Sequence, residues 1–168
     1  MTKSLNAVVK IVDMITAKNG PPCKKSLQKI TYLIEQKGAN LGFDYGIHFY
    51  GPYSATLDCS VQQLCSEGIL KIEYTDAGHI ISKCKNVPGG SNAKYLKIVD
   101  SVINEFADDT PSELELLSTS LFVAKHSNSK TKEDIIFGVE KIKGSKYSKE
   151  QVNESIERLI KNQFFALS

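Results

Sequence analysis

Histidine and cysteine are the side chains that most often take part in catalysis or metal binding, and this sequence has three of one and four of the other. His48, His79 and His126 lie in no His-x-x-x-His, Gly-x-Ser-x-Gly or His-Glu pattern. The cysteines form no Cys-x-x-Cys pair of the kind that zinc sites use. They are Cys23, Cys59, Cys65 and Cys84. The sequence therefore predicts no catalytic residue, no metal ligand and no cofactor, and we expect the protein not to be an enzyme.

Composition indicates a folded protein with a weak charge bias. Hydrophobic residues make up 41% of the 168, the net charge is +2, and Arg158 is the sole arginine. Such a small positive charge does not by itself indicate nucleic-acid binding. No apolar run approaches the roughly 20 residues that span a bilayer, and no signal peptide is recognisable. We expect a cytoplasmic protein that makes no membrane contact, and a homo-oligomer remains open.

Hydrophobic residues at helical spacing predict three helices in the first half of the chain. The first covers about residues 5–15 and stops before Gly20, and the second covers 24–36. The third begins after Ser54, a residue type that caps helix starts, and ends at Gly68. Helices of this length need partners to bury their apolar faces.

Alternating apolar and aromatic residues predict strands between and after these helices. A short strand is predicted at 47–50, after which Gly51-Pro52 turns the chain. Strands at 69–75 and 79–84, joined across Asp76-Ala77-Gly78, form a predicted hairpin. The order helix, helix, strand, helix, hairpin is that of a winged helix, with the third helix in the recognition position.

The second half is predicted to be helical, with two clear helix starts. Thr110 and Glu113 form a capping box around Pro111, and Ser148 and Gln151 form another. In a capping box, each side chain bonds a free backbone N–H of the other residue. These local signals fix where helices begin.

The predicted fold is mainly α with a small β-hairpin: a winged-helix-like N-terminal half followed by a helical C-terminal half. The first region covers 1–87, a Pro/Gly hinge covers 88–92, and the helical region covers 93–168. The two regions either form separate units or pack as one domain. No Gly-Lys-Ser/Thr follows the glycines of the hinge, so a phosphate-binding loop is not predicted there.

DNA binding is one function that a winged helix suggests. From Tyr53 to Gly68, however, the third helix contains no Lys or Arg, which most DNA-reading helices use. The lysines come instead from the second helix and the hairpin. The predicted DNA-contacting set is Lys24, Gln62, Gln63, Lys71, Lys83 and Lys85. Because the third helix lacks cations, the sequence favours a protein partner.

Three motifs carry a resemblance to known proteins. They are Lys25-x-Leu27-Gln28-Lys29-Ile30-x-Tyr32-Leu33, then Phe49-Tyr50-Gly51-Pro52-Tyr53-Ser54, then Leu64-x-x-x-Gly68-Ile69. Together they resemble the YwgA-type proteins and the related Panacea domain of toxin–antitoxin systems. The second half is also similar to the YwgA type, through Glu115-Leu116-Leu117-Ser118-Thr119 and Tyr147-Ser148-Lys149-Glu150. The resemblance implies a helical regulator-like fold and, for Panacea, neutralisation of a co-encoded toxin by direct contact.

The leading hypothesis is a non-catalytic interaction or regulatory module, antitoxin-like or an adaptor, that binds a protein partner. The alternative is a winged-helix DNA-binding transcriptional regulator. The predicted partner-binding set is Lys25, Gln28, Lys29, Tyr32, Tyr50, Gly51, Pro52 and Tyr53. A structural explanation stays open for the same positions, with Tyr32 in the core and Gly51-Pro52 forming only a turn.

Overall fold

The computed structural model describes residues 1–88 and 93–168. Across these residues the protein is mainly helical, with seven helices and two antiparallel hairpins. In chain order the elements are α1 Lys3–Asn19, α2 Lys24–Gln36, β1 Gly46–His48, β2 Gly51–Tyr53, α3 Ala55–Ser66, β3 Leu70–Thr75, β4 Gly78–Lys83, α4 Ala93–Phe106, α5 Pro111–His126, α6 Lys132–Lys143 and α7 Lys149–Lys161. Of the predicted hinge at 88–92, residues 89–92 lie outside the described residues.

The predicted helix starts are confirmed where a cap defined them. The Ser54 hydroxyl accepts from the N–H of Leu57 at the start of α3. Both predicted capping boxes are present, at Thr110 for α5 and at Ser148 for α7. Each cap satisfies backbone donors that a helix start leaves without an internal partner.

The region between α2 and α3 differs from the prediction of a single strand at 47–50. The chain forms a second, smaller hairpin, in which Gly46 pairs with Tyr53 and His48 with Gly51. Phe49 and Tyr50 therefore form the turn, whereas Gly51-Pro52, predicted to turn the chain, belongs to β2. The positive φ of Gly51, 92°, lets the strand leave the turn at this position.

The predicted hairpin after α3 is confirmed as β3–β4. Six residue pairs form its ladder, from Leu70 opposite Lys83 to Thr75 opposite Gly78. Leu70 and Ile81 are buried, and the Ile81 N–H donates to the Pro22 carbonyl at 2.9 Å. The hairpin thus lies against the α1–α2 connection.

The main hydrophobic cluster contains side chains from both halves of the chain. It joins residues of α1, α2 and α3 to residues of α4 and α5, with Leu159 and Phe164 from the C-terminal end. In the N-terminal half, α3 packs on α1 and β3, while α2 packs on α4, α5 and β2. The order of elements follows that of a winged helix with the β1–β2 hairpin inserted; the winged-helix arrangement itself stays a prediction.

Helix α5 is buried around most of its circumference. Every residue from Leu114 to Leu121 is buried, and the helix packs against α2, α6, α7 and β2. Serine and threonine occupy positions 118–120, and these small side chains let neighbouring elements approach closely. This central helix carries the charge cluster that we describe next.

A buried lysine cluster beneath an exposed aromatic turn

Glu115 lies on α5 with none of its surface exposed. Its Oε1 atom accepts from Lys143 Nζ at 2.7 Å and from Lys146 Nζ at 2.9 Å. Its Oε2 atom pairs with the ammonium group of Lys25, at the start of α2. One buried carboxylate therefore joins α5 to α2, to the end of α6 and to the α6–α7 loop.

The three lysines keep this carboxylate ionised. Burial alone would raise the pKa of Glu115, but hydrogen bonds from Lys143, Lys25 and Lys146 lower it to about 2. A buried charge is tolerated when it is paired and fully hydrogen-bonded. At neutral pH the cluster is thus a carboxylate surrounded by ammonium groups.

A fourth lysine, Lys29, is 2% exposed and lies near this group. Its Nζ donates to the Pro52 carbonyl at 2.6 Å, and among the described residues it forms no salt bridge. Burial lowers the pKa of Lys29 to about 8; Glu115 opposes that change, while Lys143 and Lys25 add to it. We call Glu115, Lys25, Lys29, Lys143 and Lys146 the Glu115 cluster.

The β1–β2 hairpin is fixed to the helices by this cluster and by Gln28. Lys143 Nζ donates to the Phe49 carbonyl at 2.7 Å. The Gln28 side chain both accepts from the Ser54 N–H and donates to the Ser54 carbonyl, each at 2.9 Å. Gln28 and Lys29 of α2 therefore hold the Phe49–Ser54 segment through hydrogen bonds to the backbone of that segment.

Close packing adds to these hydrogen bonds at Gly51. A Cβ atom at this glycine would lie 2.7 Å from Thr119 Oγ1 on α5. The absence of a side chain thus lets β2 approach α5 directly. Thr119 is itself buried, so the contact has little room to adjust.

The turn above this anchored base is exposed and aromatic. Phe49 is 84% exposed and Tyr50 is 55% exposed, and their rings meet edge to face with centroids 4.9 Å apart. Lys25 Nζ lies 4.9 Å from the Tyr50 ring centroid, and Lys146 Nζ lies 5.9 Å from it. These distances suit cation–π attraction, which orients the Tyr50 ring. We call Phe49 and Tyr50 the aromatic turn.

A cleft of about 470 Å³ opens beside the aromatic turn. The starts of α2 and α5, the β1–β2 hairpin and the tip of β3–β4 form its walls. The lining includes three lysines and two tyrosines: Lys24, Lys25, Lys29, Tyr50 and Tyr53. We call it the basic cleft.

The predicted partner-binding residues separate into an exposed and a buried group. Lys25, Tyr50 and Tyr53 reach the surface at the basic cleft. The others are buried: Gln28, Lys29, Tyr32, Gly51 and Pro52. The buried group holds the hairpin or fills the core, so in this structure its members support the surface from below.

Sequence reasoning missed Glu115, Lys143, Lys146 and Thr119 as parts of the site. The motif from Glu115 to Thr119 carried part of the resemblance, but no role was assigned to it. One signal was present in the sequence. Apart from Glu115, residues 114–121 are all leucine, serine or threonine. An acidic residue in such a run indicates a buried ion pair, although not its partners.

All four lysines of the predicted DNA-contacting set have partners within the protein. Their partners are Asp58 for Lys24, Glu73 for Lys71, Asp13 for Lys83 and the Glu67 carbonyl for Lys85. Gln62 and Gln63 are exposed on α3, and Gln63 donates to the Glu67 carboxylate at 2.9 Å. The two glutamine side chains are thus exposed on α3, whereas each of the lysines contacts an acidic side chain or a carbonyl of the protein.

Within residues 1–88 and 93–168, no group of three or more His, Cys, Asp or Glu side chains is arranged to hold a metal ion. All four cysteines are free thiols. None of the helices in these two ranges is long and apolar enough to cross a membrane.

Comparison with known proteins gives one informative similarity. The chain is 25% identical over 147 residues to the uncharacterized protein YwgA of Bacillus subtilis (strain 168). The aligned region covers 80% of this chain and 82% of that protein. The similarity supports a relation to the YwgA type, as the sequence motifs predicted. No family model matches the chain.

Proposed function

We propose that the protein is a non-catalytic interaction module that binds a protein partner through the aromatic turn and the exposed lysines beside it. Support comes chiefly from the exposure of Phe49 and Tyr50 at the tip of an anchored hairpin. Exposed aromatic residues on a rigid support lose little entropy on binding and are frequent hot spots of interfaces. The Glu115 cluster supplies that rigidity from below.

The flanking charges indicate the chemistry of the partner. Lys25 and Lys146 lie against the Tyr50 ring and remain partly exposed at the surface. A complementary surface therefore presents an apolar pocket for the aromatic turn and carboxylates for these lysines. Following the resemblance to the Panacea domain, we further propose that this partner is a toxin encoded beside the protein, and that both act in the cytoplasm.

Co-purification with the products of neighbouring genes tests this proposal. We expect a stoichiometric partner to bind the wild type, and the double variant Phe49→Ala, Tyr50→Ala to lose at least tenfold in affinity. Phe137→Ala is the matched control, because Phe137 is 60% exposed on α6 and lies outside the turn. Absence of any stoichiometric partner, or equal binding by all three proteins, would contradict the proposal.

The alternative is a winged-helix DNA-binding regulator, which the order of helices and hairpins and the outward glutamines Gln62 and Gln63 favour. The local pairing of Lys24, Lys71 and Lys83 weighs against it, since paired lysines neutralise fewer phosphates. Gel shifts on the protein's own upstream DNA across a salt series decide the matter. Retention that falls steeply with salt would favour DNA, whereas no retention at low salt removes this alternative.

A further inference from the structure

The basic cleft has the volume of a small-molecule site. Its volume of about 470 Å³ falls in the range of roughly 300–1,000 Å³ that ligand pockets occupy. Its walls come from four separate elements: α2, the β1–β2 hairpin, the β3–β4 tip and the start of α5. A ligand here would contact parts of the protein that are each held by other contacts.

The charge of this region is not balanced. Four ammonium groups of the Glu115 cluster are matched by one carboxylate, that of Glu115. Lys24, at the mouth of the cleft, is neutralised by Asp58 at 2.8 Å. Within the cleft lining the positive excess is therefore that of Lys29, which is 2% exposed and so is little screened by solvent.

Lys29 is the lysine of the lining that most needs a counterion. Its described partner is the Pro52 carbonyl, which takes one of the three donors of an ammonium group and carries no formal charge. Lys24 and Lys25 each have a carboxylate partner. A buried ammonium group without a counterion is costly, so an anion beside Lys29 gains more than it would at either neighbour.

Besides the lysines, the lining consists of two tyrosines, three residues with little bulk, and Cys23, Gln28 and His79. Tyr50, whose ring also contacts Lys25, and Tyr53, whose ring also contacts His48, contribute aromatic rings, while Ala77, Gly78 and Pro111 contribute little bulk and no charge. Such walls favour a flat apolar body that stacks on an aromatic ring. The cleft thus combines a deep cationic position with an aromatic wall.

We propose that the basic cleft binds a small organic anion, with its aromatic body against Tyr50 and Tyr53 and its phosphate or carboxylate group paired with Lys29. This site needs no macromolecular partner and goes beyond the interaction module proposed above. It also gives the buried position of Lys29 a role besides holding the hairpin.

Calorimetric titration of the full chain tests the proposal with four probes. The probes are 1-naphthyl phosphate, 1-naphthoate, the uncharged 1-naphthalenemethanol and inorganic phosphate. The first two separate phosphate from carboxylate, the third removes the charge, and the fourth removes the aromatic body. We expect saturable binding of at least one naphthyl anion. The uncharged 1-naphthalenemethanol and inorganic phosphate should each bind at least tenfold more weakly.

A blocking variant locates the binding without disturbing the Glu115 cluster. Ala77→Tyr places a ring at the mouth of the cleft from an exposed turn, and we expect it to abolish binding. The control is Ala17→Tyr, the same change at an exposed position of α1 outside the cleft lining. A Lys29 variant is less suitable, because Lys29 also holds the Pro52 carbonyl.

Three outcomes would overturn the proposal. They are the absence of saturable binding by either naphthyl anion, equal binding by the uncharged probe, and unchanged binding in Ala77→Tyr. Failure to find a protein partner would leave the result of this titration unaffected, so the two proposals fail separately.

Discussion

The β1–β2 hairpin pairs three residues with three, whereas β3–β4 pairs six with six. The short hairpin is held by side chains from outside it: Lys29 of α2 and Lys143 of α6 bind its carbonyls, and Gln28 of α2 binds Ser54 directly after β2. The long hairpin has a ladder of its own and the buried side chains of Leu70 and Ile81. It also contacts the α1–α2 region, through the Ile81 N–H, which donates to the Pro22 carbonyl, and through the pair of Lys83 with Asp13. Its lysines form surface pairs with nearby acids.

This difference shows that the number of lysines says little about their role. In the Glu115 cluster a fully buried carboxylate pairs with the buried Lys143 and with the partly exposed Lys25 and Lys146, and losing the carboxylate would leave the buried Lys143 charge uncompensated. On β3 the pair between Lys71 and Glu73 is about half exposed, so water can replace either partner. Substitutions in the two regions should therefore differ sharply in cost.

The largest expected effect comes from Glu115→Gln. The variant keeps the shape of the side chain but removes the charge that balances Lys25, Lys143 and Lys146. We expect a loss of about 3–5 kcal/mol in the free energy of unfolding, measured by urea denaturation. The control is Glu157→Gln, which disrupts an exposed pair with Lys132 and should not shift the midpoint. A loss below about 1 kcal/mol would show that the cluster does not secure the short hairpin.

Acid should weaken the same cluster over a defined pH range. The folded pKa of Glu115 is about 2, below its ordinary value, so its stabilisation is complete above pH 4.5 and is lost as the pH falls toward 2. We expect the difference in unfolding free energy between wild type and Glu115→Gln to shrink by roughly 3 kcal/mol across this range. Urea titrations at pH 5, 4, 3 and 2 measure it. A difference that stays constant with pH would contradict the assignment.

Gly51→Ala tests the close contact between β2 and α5. The new Cβ would meet Thr119 Oγ1 at 2.7 Å, at a residue whose φ is 92°. We expect a loss of about 2–3 kcal/mol in unfolding free energy, smaller when Thr119→Ala is also present. Gly38→Ala measures the backbone cost alone, because Gly38 has a φ of 95° and open space around it. If both variants lost the same unfolding free energy, the contact between Gly51 and Thr119 would not contribute to holding the short hairpin.

The smallest expected effect is that of Lys71→Ala on the long hairpin. Both partners of its pair with Glu73 are about half exposed, and such pairs contribute little. We expect an unchanged thermal midpoint at 0.15 M salt. A clear drop would show that β3–β4 also depends on its surface charges and would weaken the contrast between the hairpins.

Sequence patterns identified the features whose signals are local. The caps at Ser54, Thr110 and Ser148 were predicted correctly, because each depends on residues within three positions of one another. The β3–β4 hairpin followed from alternation and a turn signal. The short hairpin was missed because its turn, Phe49-Tyr50, consists of residue types that favour strands, and the positive φ of Gly51 appears only in the folded chain.

Only part of the candidate site could be predicted from the sequence. The α2 and hairpin members were named from motifs, but Lys143 and Lys146 are 28 and 31 residues from Glu115 and no spacing rule connects them. Periodicity also does not distinguish a lysine at the surface from one that is buried beside a carbonyl. The sequence therefore placed Lys29 in the partner-binding set without indicating that its side chain is 2% exposed and donates to the Pro52 carbonyl.

The wide sequence separation around Glu115 has a consequence for folding kinetics. Its contacts require α2, α5 and the α6–α7 loop to be in place together, and the Lys143–Phe49 contact spans 94 residues. Contacts of such range close large loops and form late along the folding path. We therefore expect removal of the Glu115 charge to accelerate unfolding while leaving the rate of folding nearly unchanged, so the cluster prolongs the lifetime of the native state.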